Sequence, residues 1–472
     1  METFYLKDLM RAISGKFVKG NPGFSANGVS IDSRTIKKGE VYFAIRGARY
    51  DGHDFIKEVI DKGAAAVVCS KDKIETESGK DFTKSIPDSV LIIKTNDTLI
   101  SLGEFAKSYR TKFKNIKIAG ITGSNGKTTT KEILVSIFNR KGRTLSSKGN
   151  FNNRIGLPLS IFNLTSDIEY AVFEMGTSLR GEIKILSDIL KPDAGIITNV
   201  GFSHLETFIS PEGVFEEKKV LFDNVKETGF IVINNDDEFL RTAPRYVSRK
   251  IIAFALDDAA DVCAKNIKLY SDKIDFEIFY KKTSVKITMP AKGRFNVSNA
   301  LVAAACAIGF GFSLDEIKCG IESFMPPKMR METLKTRTDV VLINDAYNAN
   351  PSSVRKAIQA VLQSYGGKKI NLVLGDMLEL GDKSADYHFE LGKFINAQNI
   401  NSVHLFGEMS FYTKEALNNE NVFHSKNSDA LLAQLRQIPA GGDCVFLFKA
   451  SRGMKLEEIY AEFYSILEQR NK

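Results

Sequence analysis

Cysteine is scarce in this chain and is never arranged to bind or bridge. Cys69, Cys263, Cys306, Cys319 and Cys444 are odd in number and scattered, with no Cys-x-x-Cys. That argues against a disulfide framework and a zinc site and points to a reducing compartment. Long apolar runs are missing too. The longest uncharged stretch, residues 295–314, includes Asn296, Ser298 and Asn299, and its apolar heart at 300–312 falls short of the roughly 20 residues of a membrane span. A buried helix is expected there. Residues 1–8 lack the basic-then-apolar order of a signal peptide. No run of five or six like charges occurs, and the net charge of +8 is spread along the chain, leaving no concentrated basic face for nucleic acid. Short-period repeats and low-complexity tracts are absent. The expectation is a soluble, cytoplasmic protein without membrane insertion or nucleic-acid binding.

What is present is globular material in quantity. Apolar residues at 43% and charged residues at 26% suit a soluble domain protein. A length of 472 residues exceeds one core and suggests about three domains. The first, 1–113, mixes a short strand at 41–45 with helical patterns at 54–63 and 99–113. The second, 114–325, alternates apolar strands (116–121, 143–146, 170–174, 194–199, 230–233) with helical patterns, which predicts a mostly parallel sheet covered by helices. Residues 251–290 read as an antiparallel ribbon or small sheet and 295–312 as a helix. Pro326-Pro327 breaks the pattern. Beyond it, 326–472, strands at 340–344, 371–375, 403–407 and 445–449 alternate with helices as a Rossmann-like domain. The predicted class is α/β: a small N-terminal domain, a central P-loop ATPase-like sheet, and a C-terminal Rossmann-like domain.

The most specific motif is Gly123-Ser124-Asn125-Gly126-Lys127-Thr128-Thr129, set between a strand and a helix. Glycines let successive N–H groups curl around one anion, Lys127 adds charge, and Thr128 offers a hydroxyl to Mg2+. The glycine that the longer Walker pattern wants is Ile121 here, so the form is the shorter Gly-x-x-Gly-Lys-Thr. A nucleotide phosphate needs a hard metal and hence oxygen ligands. Glu174 ends strand 170–174, and His204 follows strand 194–199. Both fall on the rim where open α/β sheets bind ligands, so they could share a metal, although each could also be a plain surface residue. Lys218 is flanked by Val214, Phe215, Leu221 and Phe222 at helical spacing and lies on the inward stripe. Lys219 points about 100° away, toward the side of Glu216 and Asp223. A buried amine must be paired or neutral. Lys218 could snorkel to Glu174, or take up carbon dioxide as a carbamate and serve metals. Asn296 and Asn299 share a face at a helix start, where capping and ligand contact are both open. Loop 149–153, loop 344–351 with Asp345, and Lys449-Ala450-Ser451-Arg452 are further polar sites at strand ends, with Ser352 or Ser353 as candidate helix caps.

Together these motifs, with Asp32-Ser33-Arg34, Asp51-Gly52-His53, Glu174-Met175-Gly176 and Gly375-Asp376-Met377-Leu378-Glu379-Leu380-Gly381, resemble the Mur ligases, ATP-dependent amino-acid ligases of peptidoglycan synthesis, over essentially the whole chain. Loop 345–351, Asp-Ala-Tyr-Asn-Ala-Asn-Pro, is similar to the members that add D-alanyl-D-alanine to UDP-N-acetylmuramoyl-tripeptide. The resemblance implies that residues 123–129, Asn296, Asn299, Arg330 and Asp345 bind ATP. It implies that Thr128, Glu174, His204 and carbamylated Lys218 serve Mg2+, with Lys127, Glu174, His204 and Lys218 catalytic. Ser33 and Arg34 match the UDP side, and Asn152, Asn153, Tyr347, Asn348, Asn350, Ser451 and Arg452 are the remaining substrate-binding candidates, in a protein expected to be monomeric. Two positions depart from the family pattern: Glu217 stands where a small residue usually precedes the lysine, and Ala450 replaces a glycine. Rival readings are another Mur-type ligase, a folylpolyglutamate synthetase, or a regulatory P-loop NTPase; the last would want an Asn-Lys-x-Asp motif, which is missing.

Overall fold

The computed structural model describes residues 1–418, 420–438 and 441–469, and it is α/β throughout. Three main sheets follow one another along the chain. The first, five-stranded, runs in the order Lys16–Lys19, Leu91–Thr95, Ala66–Ser70, Glu40–Phe43, Gly28–Ser30; only its first strand is antiparallel. The central sheet has nine strands. Lys117–Thr122 lies between Tyr170–Glu174 and Ala194–Ile197, parallel to both. Tyr170–Glu174 is buried at every position, as expected of a parallel strand covered on both faces.

The antiparallel expectation for residues 251–290 holds for three strands and fails for the first. Lys250–Ala255 joins the parallel sheet beside Phe230–Asn234, and only Val262–Leu269, Ile274–Tyr280 and Thr283–Met289 form the antiparallel extension. After Lys250 this strand is apolar throughout, with Ile252, Phe254 and Ala255 buried; such a run fits a strand of either direction, so pairing decides. The helix expected at 295–312 is Phe295–Gly309; it packs against Lys127–Phe138 and is buried over most of its length. Among the described residues no helix is long and apolar enough to cross a membrane.

The third sheet, six-stranded, is parallel apart from its edge strand Glu332–Lys335. Leu205, Phe208 and Val214 from the central region share an apolar cluster with Ile343, Leu374, Met377 and Leu380 of the third. That seam holds the two sheets' loop ends against one another.

Candidate active site

The phosphate-type loop is built by glycine geometry. Gly123 (φ 143°) and Gly126 (φ 82°) occupy left-handed backbone, where a side chain is strained. A Cβ on Gly123 would collide with Thr198 Oγ1, and one on Gly126 with Asn299 Oδ1. Ile121 belongs to strand Lys117–Thr122 and is fully buried. The loop therefore turns at Gly123, two residues later than the longer pattern would require. Asn199 clamps it from the next strand end: its Oδ1 accepts from Asn125 N–H (3.0 Å) and its Nδ2 donates to the Asn125 carbonyl (3.0 Å). Lys127 Nζ donates to the Gly123 carbonyl (2.7 Å), and burial lowers its pKa.

Glu174 is buried and pre-oriented. Its two oxygens accept from Thr128 Oγ1 and Asn152 Nδ2, each at 2.9 Å. No ion pair or hydrogen bond joins Lys218 to Glu174, so the alternative that it snorkels there fails. Lys218 lies on the inward stripe of Pro211–Asn224 with Val214, Phe215, Leu221 and Phe222 buried beside it, while Lys219 pairs with Glu216 (2.6 Å) on the outside. Lys218 makes no hydrogen bond or ion pair with a described residue, and its pKa is pushed down to about 7, first by burial and then by the charge of Lys127. A substantial neutral fraction at neutral pH follows, as carbamate formation requires.

The third region closes the other side. A cavity of about 1160 Å³ is bordered by Ser124, Asn125, Gly126, Lys127, Thr128 and Thr129, by Glu174, His204 and Lys218, and by Arg330, Asp345, Tyr347, Asn348, Asn350 and Arg452. Asn152, Asn153, Asn296 and Asn299 also border it. Arg330 stacks over the Tyr347 ring (4.1 Å to the centroid), with Arg452 on the same ring at 5.9 Å. Asn350 Nδ2 reaches across to Asn125 Oδ1 (2.9 Å). His204 Nδ1 stands 2.6 Å from Glu379 Oε2, and that imidazole is the first cause of a lowered Glu379 pKa.

Several expected residues have other employment. Asn350, not Ser352 or Ser353, caps Pro351–Tyr365: its Oδ1 accepts from Ser353 N–H while Ser353 Oγ accepts from its own N–H. Asn153 accepts from the N–H groups of Ile155 and Gly156. Ser451 does not border the cavity; its Oγ accepts from Leu378 N–H and donates to the Ala349 carbonyl. Ser33 and Arg34 lie away from this cavity, and Arg34 pairs with Asp32 (2.7 Å). Gly123 shapes the loop without bordering the cavity. Asn296 and Asn299 are no caps: Asn299 donates to Asn296, which donates to the Lys292 carbonyl. Lys449 borders the cavity, as its place at a strand end suggests, and so do Lys292 and Lys356, which no local signal marks. Burial pushes Lys292 down to about 8.

The donor set suits magnesium. A carboxylate and a hydroxyl meet at 2.9 Å beside a phosphate-type loop, an imidazole borders the same cavity, and this ion keeps several positions for phosphates and water. No cluster of three His, Cys, Asp or Glu that could hold an ion alone occurs among the described residues.

Known proteins match along this whole arrangement. The Mur ligase middle domain matches residues 121–307, the Mur ligase glutamate ligase domain 329–452, and the Mur ligase family catalytic domain 25–110. The UDP-N-acetylmuramoyl-tripeptide–D-alanyl-D-alanine ligase of Bacillus subtilis is 34% identical over 96% of this chain and 97% of its own. The chain belongs to the Mur ligase family. It is an enzyme, a ligase. The Escherichia coli enzyme of the same name is 33% identical over 91% of this chain and 92% of its own. Among solved structures, a crystal structure of MurF from Acinetobacter baumannii has TM-score 0.90 at 29% identity, covering 98% and 99% of the two chains. MurF from Thermotoga maritima in complex with ADP has TM-score 0.82 at 29% identity, covering 94% of this chain and 98% of that one.

The two departures from the Mur ligase pattern have local reasons. Glu217 accepts from the N–H groups of Gly181 (2.8 Å) and Ile183 (2.9 Å), and so caps helix Glu182–Leu190 from outside. Ala450 is fully buried against Gly375, whose missing Cβ leaves it room.

Proposed function

We propose that this ligase joins D-alanyl-D-alanine to UDP-N-acetylmuramoyl-tripeptide at the expense of ATP, through an acyl phosphate, and so forms the pentapeptide precursor of peptidoglycan. The observation that carries the reading is the single cavity in which the glycine loop, Glu174 and Lys218 face the Asp345–Asn350 side of the third region. End-to-end similarity to ligases of that name supports it.

A carboxylate is a poor acylating agent, so the γ-phosphoryl of ATP is transferred to it. The dipeptide amine then attacks the carbonyl carbon, and the tetrahedral adduct expels phosphate. The chain's contribution is positioning and charge neutralisation. Lys127 and the amides of residues 126–128 hold the phosphates, those of Ser124 and Asn125 being tied to Asn199, and Asn296, Asn299, Arg330 and Asp345 complete the nucleotide site. Thr128, Glu174 and His204 would hold Mg2+, which would neutralise charge on the transferred group. The neutral Lys218 amine adds carbon dioxide, loses a proton, and becomes an anionic carbamate for the same ions. Tyr347, Asn348 and Arg452 face the incoming dipeptide, with Asn152 on the acceptor side. Residues 1–113 carry the UDP moiety through Ser33 and Arg34, 114–325 the ATP site, and 326–472 the closing wall. The enzyme works as a cytoplasmic monomer. The docked seam excludes water that would waste the acyl phosphate.

The test is phosphate release with ATP, UDP-muramoyl-tripeptide and candidate nucleophiles in turn. Release with D-alanyl-D-alanine is expected; release only with a free amino acid would assign another member of the series.

A further inference from the structure

His204 is held from the opposite region of the molecule. Its Nδ1 is buried and lies 2.6 Å from Glu379 Oε2, while its ring borders the cavity. The N–H is not aimed squarely at the oxygen, so the contact is an ion-pair-like approach rather than a linear hydrogen bond. No other cation lies within ion-pair distance of Glu379 among the described residues. Both residues are non-glycines in left-handed backbone, His204 at φ 52° and Glu379 at φ 63°. Such conformations persist only where the surroundings enforce them and gather at functional sites. The surroundings here are specific: Glu206 N–H donates to the Glu379 carbonyl (3.2 Å). Gly381 (φ 65°) comes so near that a Cβ on it would lie 3.2 Å from Glu206 Cα. Leu205 and Leu380 are buried in one cluster. Residues 379–381 thus dock on 204–206 as a fitted turn.

We infer that Glu379 is a positioning residue for His204: its carboxylate fixes the imidazole so that the other ring nitrogen is presented to a metal in the cavity. A carboxylate at one imidazole nitrogen sets the tautomer and orientation at the other. Because Glu379 belongs to the third region and His204 to the second, the ligand is oriented only when the two are docked. Metal loading and docking of the third region are then one event. The inference rests on the proposed magnesium role of His204.

The full-length protein, its Glu379→Gln variant and its Glu379→Asp variant are titrated with Mn2+ in the presence of ADP, with free ion read by electron paramagnetic resonance. Glu379→Gln is expected to weaken Mn2+ binding roughly 10–100-fold, with Glu379→Asp intermediate and metal-free ADP affinity unchanged. Without metal, the imidazole ¹⁵N shifts of His204, assigned through His204→Gln, are expected to move in Glu379→Gln. Mn2+ affinity within twofold of the parent, whether or not the melting temperature falls, would reduce Glu379 to a structural tie and overturn the inference. A parent that binds no Mn2+ with ADP overturns the magnesium reading as well, so the two failures are distinguishable.

Discussion

The two walls of the cavity treat a buried lysine in opposite ways. On the third-region wall Lys449 is 3% exposed and meets Asp345 Oδ2 at 2.6 Å and the Asn348 carbonyl at 2.9 Å. On the central wall Lys218 is 2% exposed and meets no described anion. Behind the glycine loop, Lys131 at 1% exposure donates to the Ser147 carbonyl (2.8 Å) and lies 3.0 Å from Glu132. Burial is equal, so burial does not mark function. What separates Lys218 is the missing partner: uncompensated charge is expensive inside a protein, and a fold keeps such a group where something else completes it.

The contrast is broken most strongly by making Lys449 resemble Lys218. Asp345→Asn leaves a buried ammonium with only carbonyl partners, and calorimetry should show a loss of about 3–5 kcal/mol, the cost of breaking one side of a buried pair. Lys218→Ala should do the reverse, costing no stability while lowering ligase turnover roughly 10²–10³-fold, the scale of one lost charge-stabilising group. Added formate or acetate should restore part of that rate. Full turnover of the unsupplemented variant would remove the carbamate role.

A buried titratable group with a neutral partner gives a third case. His404 stacks on Phe423 (5.0 Å between centroids) and shares a contact with Ser402 Oγ (3.0 Å). Burial pushes its pKa down to about 4. The folded value is below the unfolded one, so the native state favours the neutral ring. That stability is present above about pH 6.5 and is lost as pH falls toward 4, reaching about 3 kcal/mol at one pKa unit per 1.4 kcal/mol. Melting curves of His404→Gln between pH 7 and 4 should therefore be flatter than the parent's. The smallest effect is expected at Lys131→Met, about 1–3 kcal/mol for the unsatisfied Ser147 carbonyl, with turnover retained. A collapse of turnover there would show that partnered buried lysines also serve the reaction.

Much of this was legible in the chain because the signals were local. Tyr170–Glu174 was read residue for residue, since a strand covered on both faces is continuously apolar. Lys218 was placed inward and Lys219 outward from helical spacing alone. Roles that depend on a distant partner were not legible. An asparagine between strand and helix serves equally as ligand or cap, and only the fold shows Asn350 capping its helix while reaching Asn125. The Lys250–Ala255 strand gave its existence but not its parallel partner.

Two alternating α/β series behind a mixed first segment, the glycine loop with its lysine and threonine, and the likeness to an ATP-dependent ligase family are legible along the chain. Those follow from periodicity and from contiguous motifs, which need no partner to be recognised. Only the tertiary fold shows that Lys218 meets no anion among the described residues while Lys449 meets one, and that Glu379 stands against His204. Charge compensation depends on distance through space, and no spacing along a chain records it.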